Sequence, residues 1–102
     1  MRKRFVVLLS PAPKSANDRF LDWARKEQIS WWHWTQGSWL LVDSEGGHTA
    51  TTIRDGVGQS FGRIRCLVLE LRGEDDTWAG TGPRTEKRNM FSWIKSKWQK
   101  QR

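Results

Sequence analysis

The stretch "ISWWHWTQGSWLLVD", residues 29–43, holds four of the chain's eight tryptophans: Trp31, Trp32, Trp34 and Trp39. Tryptophan constrains a fold strongly, because its large face must be buried while its N–H still requires a partner. Residues 29–35 and 38–43 read as two strands joined by a tight turn at Gln36 and Gly37. Side chains alternate along a strand, so Trp32 and Trp34 share one face while Trp31, His33 and Thr35 share the other. Both faces of this hairpin are therefore aromatic. One can lie under helices. The other is apolar surface that a lone protomer would expose, and such patches mark interaction sites. Trp39, just past the turn, is expected to pair across the hairpin with Trp34 or Trp32.

The remaining segments give an alternating order. "FVVLLS" (5–10) is an apolar run that reads as a central strand. After the break at "PAPKS", Ser15 is expected to cap a helix with Asp18 as its capping-box partner. Phe20, Leu21 and Ala24 give that helix an apolar face through about Gln28. A second helix is expected from about Thr49 to Phe61, weakened or ended early by Gly56 and Gly58. "IRCLVLEL" (64–71) reads as a fourth strand. A short strand is expected around Trp78, and "NMFSWIKSKW" (89–98) as a short amphipathic helix in which Met90, Ile94 and Trp98 recur every four residues. Strand, helix, hairpin, helix, strand is the ferredoxin-like order, an α+β fold. The expected division is a domain over 1–83 followed by a basic helix or tail over 84–102. An antiparallel sheet with helices on one face needs a cover on the other, and a second subunit is the usual one.

The net charge of +7 is distributed unevenly. Arg2, Lys3 and Arg4 supply three positive charges at one end. Residues 84–102 carry Arg84, Lys87, Arg88, Lys95, Lys97, Lys100 and Arg102 against Glu86 alone, a net of six. The intervening body, 5–83, is left at −2. Basic ends of this kind are either solvated or an electrostatic handle for DNA or RNA. Trp93 and Trp98 beside Lys95 and Lys97 mix stacking with charge. The hairpin does so less well, since no lysine or arginine lies between Lys26 and Arg54 to track phosphates. The tryptophan hairpin accordingly reads as core plus subunit interface ahead of a base-stacking platform.

Other classes find little support. Mean hydropathy is −0.76 and no apolar run approaches a membrane span, so no membrane partner is expected. "MRKRFVVLLSPAP" imitates a secretion signal, but its apolar part, 5–9, is shorter than the roughly 7–15 residues of a signal core. The single cysteine, Cys66, allows no internal disulfide, consistent with a cytoplasmic location. His33, His48 and Cys66 lack metal-ligand spacing. The acidic run Glu74, Asp75 and Asp76 reads as solvated. The glycines at 56, 58 and 62 follow no strand and make no dinucleotide loop. Ser10, His33 and Asp43 can be written as a triad, yet their spacing does not demand one. No catalytic residue, metal site or cofactor is assigned.

Taken together, "WWHW…SWLLVD", "TATTIRDGV" and "RCLVLELRG…WAG" resemble the small proteins of the SinR family over roughly residues 5 to 80. These are similar to the CRISPR adaptation protein that partners the spacer integrase and to its VapD-type relatives. The resemblance implies a ferredoxin-like homodimer with its sheets face to face, and Trp31, Trp32, Trp34 and Trp39 as interface residues. Nuclease members of that wider group hold a divalent metal with an aspartate at the end of the first strand. Here that position is Ser10, followed by Pro11, and a hydroxyl is a poor substitute for a carboxylate on Mg²⁺. The expectation is a non-catalytic nucleic-acid-binding homodimer using Arg2, Lys3, Arg4, Arg84, Lys87, Arg88, Trp93, Lys95, Lys97 and Lys100. The alternatives are a small protein-binding module, such as a phage or mobile-element inhibitor of a host defence complex, and a metal-dependent nuclease.

Overall fold

A computed structural model of the chain describes residues 1–73, 79 and 90–98. Its elements are β1 (Lys3–Leu9), α1 (Lys14–Lys26), β2 (Ile29–Thr35), β3 (Ser38–Asp43), α2 (Ala50–Phe61), β4 (Cys66–Leu71) and α3 (Met90–Trp93), which continues as a π-helical turn over Ile94–Trp98. The four strands form one antiparallel sheet in the order β2-β3-β1-β4. The class is α+β. The expected strand around Trp78 and the expected boundary between 83 and 84 lie outside the described residues.

Alternation along the strands sorts the sheet into two faces. Phe5, Val7, Ile29, Trp39 and Leu41 point to one side, where they meet Phe20 and Ala24 of α1 and Ile53 and Val57 of α2 in a single buried cluster. Trp39 is fully buried at its centre. Its ring meets Phe20 edge-on at 5.0 Å between centroids, and Trp31 at 6.1 Å. Its partner across the hairpin is His33, with rings stacked 3.8 Å apart and nearly parallel. The expected pairing with Trp32 or Trp34 is thus overturned by register. His33 stands opposite Trp39 and Trp32 stands opposite Leu40, and directly opposite residues share a face. A register irregularity between His33 and Thr35 absorbs one extra residue beside the turn.

Local signals account for most boundaries. Pro13 is extended and takes the N-cap position of α1 without any side-chain cap bond. The expected capping box at Ser15 does not form, because the helix starts two residues earlier and Ser15 falls inside the first turn. Asp18 instead pairs with Lys14 at 2.9 Å, one helical turn back. α1 ends at Lys26, short of Gln28, which adopts φ 59° to turn the chain into β2. α2 opens on a reciprocal capping box between Thr49 and Thr52. β4 starts at Cys66, two residues later than expected.

Gly56 and Gly58 do not end α2, which runs through Phe61 to Gly62 at φ 73°. They differ in what surrounds them. A Cβ on Gly56 would stand 2.3 Å from Cζ2 of Trp23, so the missing side chain is what lets α1 and α2 approach. A Cβ on Gly58 would meet nothing within 4 Å. Gly56→Ala is therefore expected to destabilise the protein by about 1–3 kcal/mol through overpacking against the indole. Gly58→Ala should stabilise it by up to about 1 kcal/mol through helix propensity. Urea unfolding of the two variants measures the contrast, and equal effects would refute the packing role of Gly56.

Candidate nucleic-acid interface

The second face of the sheet is built from Val6, Trp32, Leu40, Val42 and Leu71, and the C-terminal helical segment lies on it. Ile94 and Trp98, four residues apart, are buried against Val42. Trp93 packs between them and the hairpin, its ring 6.3 Å from Trp32 and 6.3 Å from Trp98. A helical period brings 94 and 98 to the sheet, which turns Lys95 and Lys97 outward, and both are exposed. The sequence feature that demanded a cover thus finds one within the same chain. Trp32 and Trp34 are half-buried on this face, whereas Trp31 and Trp39 lie on the helix-covered face. The four tryptophans expected to form one interface therefore divide between two layers, and Trp39 offers no surface to a partner.

The N-terminal basic residues are not a loose arm. Arg2 donates from Nη2 to the carbonyls of Lys97 (3.0 Å) and Trp98, the last described residues of the helical segment. A cation beside helix carbonyls complements the negative end of the backbone dipoles. Burial, with the nearby Arg4 as second cause, pushes the Arg2 guanidinium below its ordinary value. Its Nε is buried without a partner. Arg4 lies over the Trp98 ring at 5.2 Å and donates to the carbonyl of Gly73 at 2.7 Å. Lys3 donates to the carbonyl of His48 at 2.8 Å. All three residues, expected at the nucleic-acid surface, hold the chain together. Arg84, Lys87, Arg88 and Lys100 lie outside the described residues.

The acidic side chains of the body are largely engaged by their neighbours. Asp18 pairs with Lys14, Asp22 with Arg25, Asp55 with Arg54, and Glu70 with Arg72, at 2.9 to 3.3 Å. Glu27 meets Nε2 of His48 at 3.0 Å. Asp43 is buried and accepts the backbone amides of Glu45 and His48. Lys26, Arg63, Arg65, Lys95 and Lys97 are exposed, with no ion pair to another described residue. Arg63 and Arg65 were not singled out in the sequence. The signal was present in "GRIRC", where two arginines alternate with apolar residues just before a strand. A further surface, also missed, lies on the part of the second face that the C-terminal segment leaves open: Leu8, Leu67 and Leu69 are 40%, 54% and 45% exposed.

The alternative chemistries are placed as follows. Ser10 follows the end of β1 and its amide donates to the carbonyl of Arg65, while Asp43 stands opposite Lys3 at the other end of that strand. At about 3.4 Å per residue this puts Ser10 and Asp43 roughly 24 Å apart, and no triad assembles with His33. Nδ1 of His48 lies 2.8 Å from Oγ1 of Thr52, an oxygen already engaged in the α2 cap. Among the described residues no three of His, Cys, Asp and Glu converge as a metal site, and Glu74, Asp75 and Asp76 lie outside them. No described helix is long and apolar enough to cross a membrane. No family model, curated protein or solved structure matches the chain.

The contact of Arg2 with the last helical carbonyls makes a direct prediction. Arg2→Gln removes the charge and shortens the reach, which should cost about 1–3 kcal/mol, the usual range for a charged hydrogen bond with one partner left stranded. Loosening of the C-terminal segment should expose Trp93 and Trp98, so tryptophan emission shifts to the red before global unfolding in urea. Emission identical to that of the parent protein would contradict the pinning role.

Proposed function

We propose that this protein binds nucleic acid without cleaving it, through a ferredoxin-like α+β domain capped by a basic C-terminal helix. The observation that carries the reading is the charge arrangement. Among the described residues Asp18, Asp22, Asp55 and Glu70 each pair with a neighbouring cation, whereas Lys26, Arg63, Arg65, Lys95 and Lys97 face solvent with no ion pair. Exposed cations without an acidic partner are suited to polyphosphate. The half-buried ring of Trp93 beside Lys95 and Lys97 adds a stacking element to the charge. The ferredoxin-like assignment is supported by the βαββαβ order and the antiparallel 2-3-1-4 arrangement of strands. The same order is what the resemblance to SinR-family and CRISPR adaptation proteins calls for.

A titration into labelled single- and double-stranded DNA and RNA tests this reading. Affinity should fall linearly with salt on logarithmic axes, by about 0.9 for each duplex phosphate neutralised. The double variant Lys95→Glu, Lys97→Glu should weaken binding to all sequences alike and flatten the slope by about 2. Strands should stay intact with Mg²⁺ present. Absence of binding at low salt would end the proposal, and Mg²⁺-dependent cleavage would replace it with a nuclease.

A second reading, protein association, is favoured by the leucine patch of Leu8, Leu67 and Leu69. Leu8 and Leu67 are direct partners across β1 and β4, so the patch is continuous. We propose a second copy of the chain as its occupant, in place of the tryptophan interface expected from the sequence. Among the described residues the four-stranded sheet ends at β4, and two such edges can pair antiparallel about a two-fold axis while their leucines meet on one face. Leu67→Lys should halve the mass measured by light scattering. A parent protein already monomeric at high concentration would transfer the patch to a different protein partner.

A further inference from the structure

A groove of about 480 Å³ runs along the outer side of α2, between its second half, the loop that follows and the start of β4. Arg54 and Arg63 both line it. Part of the lining is bare backbone, because Gly58 and Gly62 carry no side chain and a Cβ at either would project into empty space. Val57 and Ile64 line it with apolar surface, and Cys66 contributes the only thiol of the chain. Eight residues of helix separate Arg54 from Gly62, a span of roughly 12 Å. That is a small-molecule-sized recess lined by two cations and bare backbone.

We infer that this groove binds a nucleotide, with the phosphate on Arg54 and Arg63 and the base against the glycine-lined wall. The inference rests on the nucleic-acid reading and locates one unit of the bound strand. Guanidinium groups match phosphate oxygens in pairs and are the side chains of choice for that contact. Asp55 also lines the groove, but it already pairs with Arg54 at 3.3 Å in an exposed contact that a phosphate can displace. The Gln59 side chain, also in the groove, offers both a donor and an acceptor to a base edge. Burial pushes the Cys66 thiol up, and the charge of Arg54 partly offsets this. A phosphate on Arg54 cancels the offset, so ligand both covers the thiol and suppresses its ionisation.

The test is alkylation of Cys66 in the full chain by iodoacetamide, followed by mass spectrometry, with AMP, adenosine or inorganic phosphate added. AMP at about ten times its dissociation constant should slow the reaction about tenfold, since only the free fraction reacts. Gly58→Met fills the groove with a side chain that meets no other atom, and Arg63→Gln removes one phosphate contact. Both variants should fold, and both should lose the protection by AMP relative to their own unliganded rates. Undiminished protection in these variants, or none in the parent protein, would overturn the inference. Equal protection by inorganic phosphate would overturn the nucleotide assignment. A short single-stranded oligonucleotide separates the two levels. Binding by anisotropy without protection of Cys66 removes the groove and keeps the nucleic-acid reading. Protection by AMP without oligonucleotide binding does the reverse.

Discussion

The aromatic stack of His33 on Trp39, with Phe20 edge-on beneath it, is the contact on which the rest of the structure depends. It places the largest side chain of the core at the junction of β3 with α1. It also locks the register of the hairpin, since a slip of one residue would send every side chain of β2 to the opposite face. With Trp39 committed to the helix side, Trp31 follows, and Trp32 and Trp34 are left on the far side of the sheet. The second layer is then obligatory. Apolar rings on that scale cannot remain against water without a cover, and the C-terminal segment supplies one.

That cover is short, and a few turns of helix have little stability of their own. Its hold comes from Ile94 and Trp98 in the apolar layer and from two arginines near the N-terminus. Arg2 donates to the carbonyls of Lys97 and Trp98, and Arg4 lies over the Trp98 ring. The basic N-terminal residues are thereby brought beside the basic helical segment in spite of their like charge. The cations of β1 point into carbonyls and an indole, and the cations of the helix point to solvent.

The same division decides what is available for function. A count of charges over the sequence treats all eighteen lysines and arginines alike. Among the described residues the fold separates structural donors (Arg2, Lys3, Arg4, Arg19), cations neutralised by a neighbouring acid (Lys14, Arg25, Arg54, Arg72) and cations turned outward (Lys26, Arg63, Arg65, Lys95, Lys97). Of these, the last group meets a polyanion without breaking a described contact. A surface built from them differs from the one suggested by the basic ends alone.

Local pattern was enough to determine the elements. Alternation through "ISWWHWT" and "SWLLVD" yields the observed bounds of β2 and β3, and apolar spacing yields both long helices to within two residues. These signals are legible because periodicity and turn residues act over a few positions. What depended on distant residues was not legible. Only the folded chain could show that Trp39 meets His33, that Gly56 is a seat for Trp23, and that Arg2 closes a helix ninety-five residues away. Likewise, only packing could decide that the second sheet face is half covered from within, leaving Leu8, Leu67 and Leu69 open. Composition specifies how much aromatic surface and positive charge a chain must accommodate. Which of those groups are consumed by the interior is set by contacts between segments that the order of residues does not display.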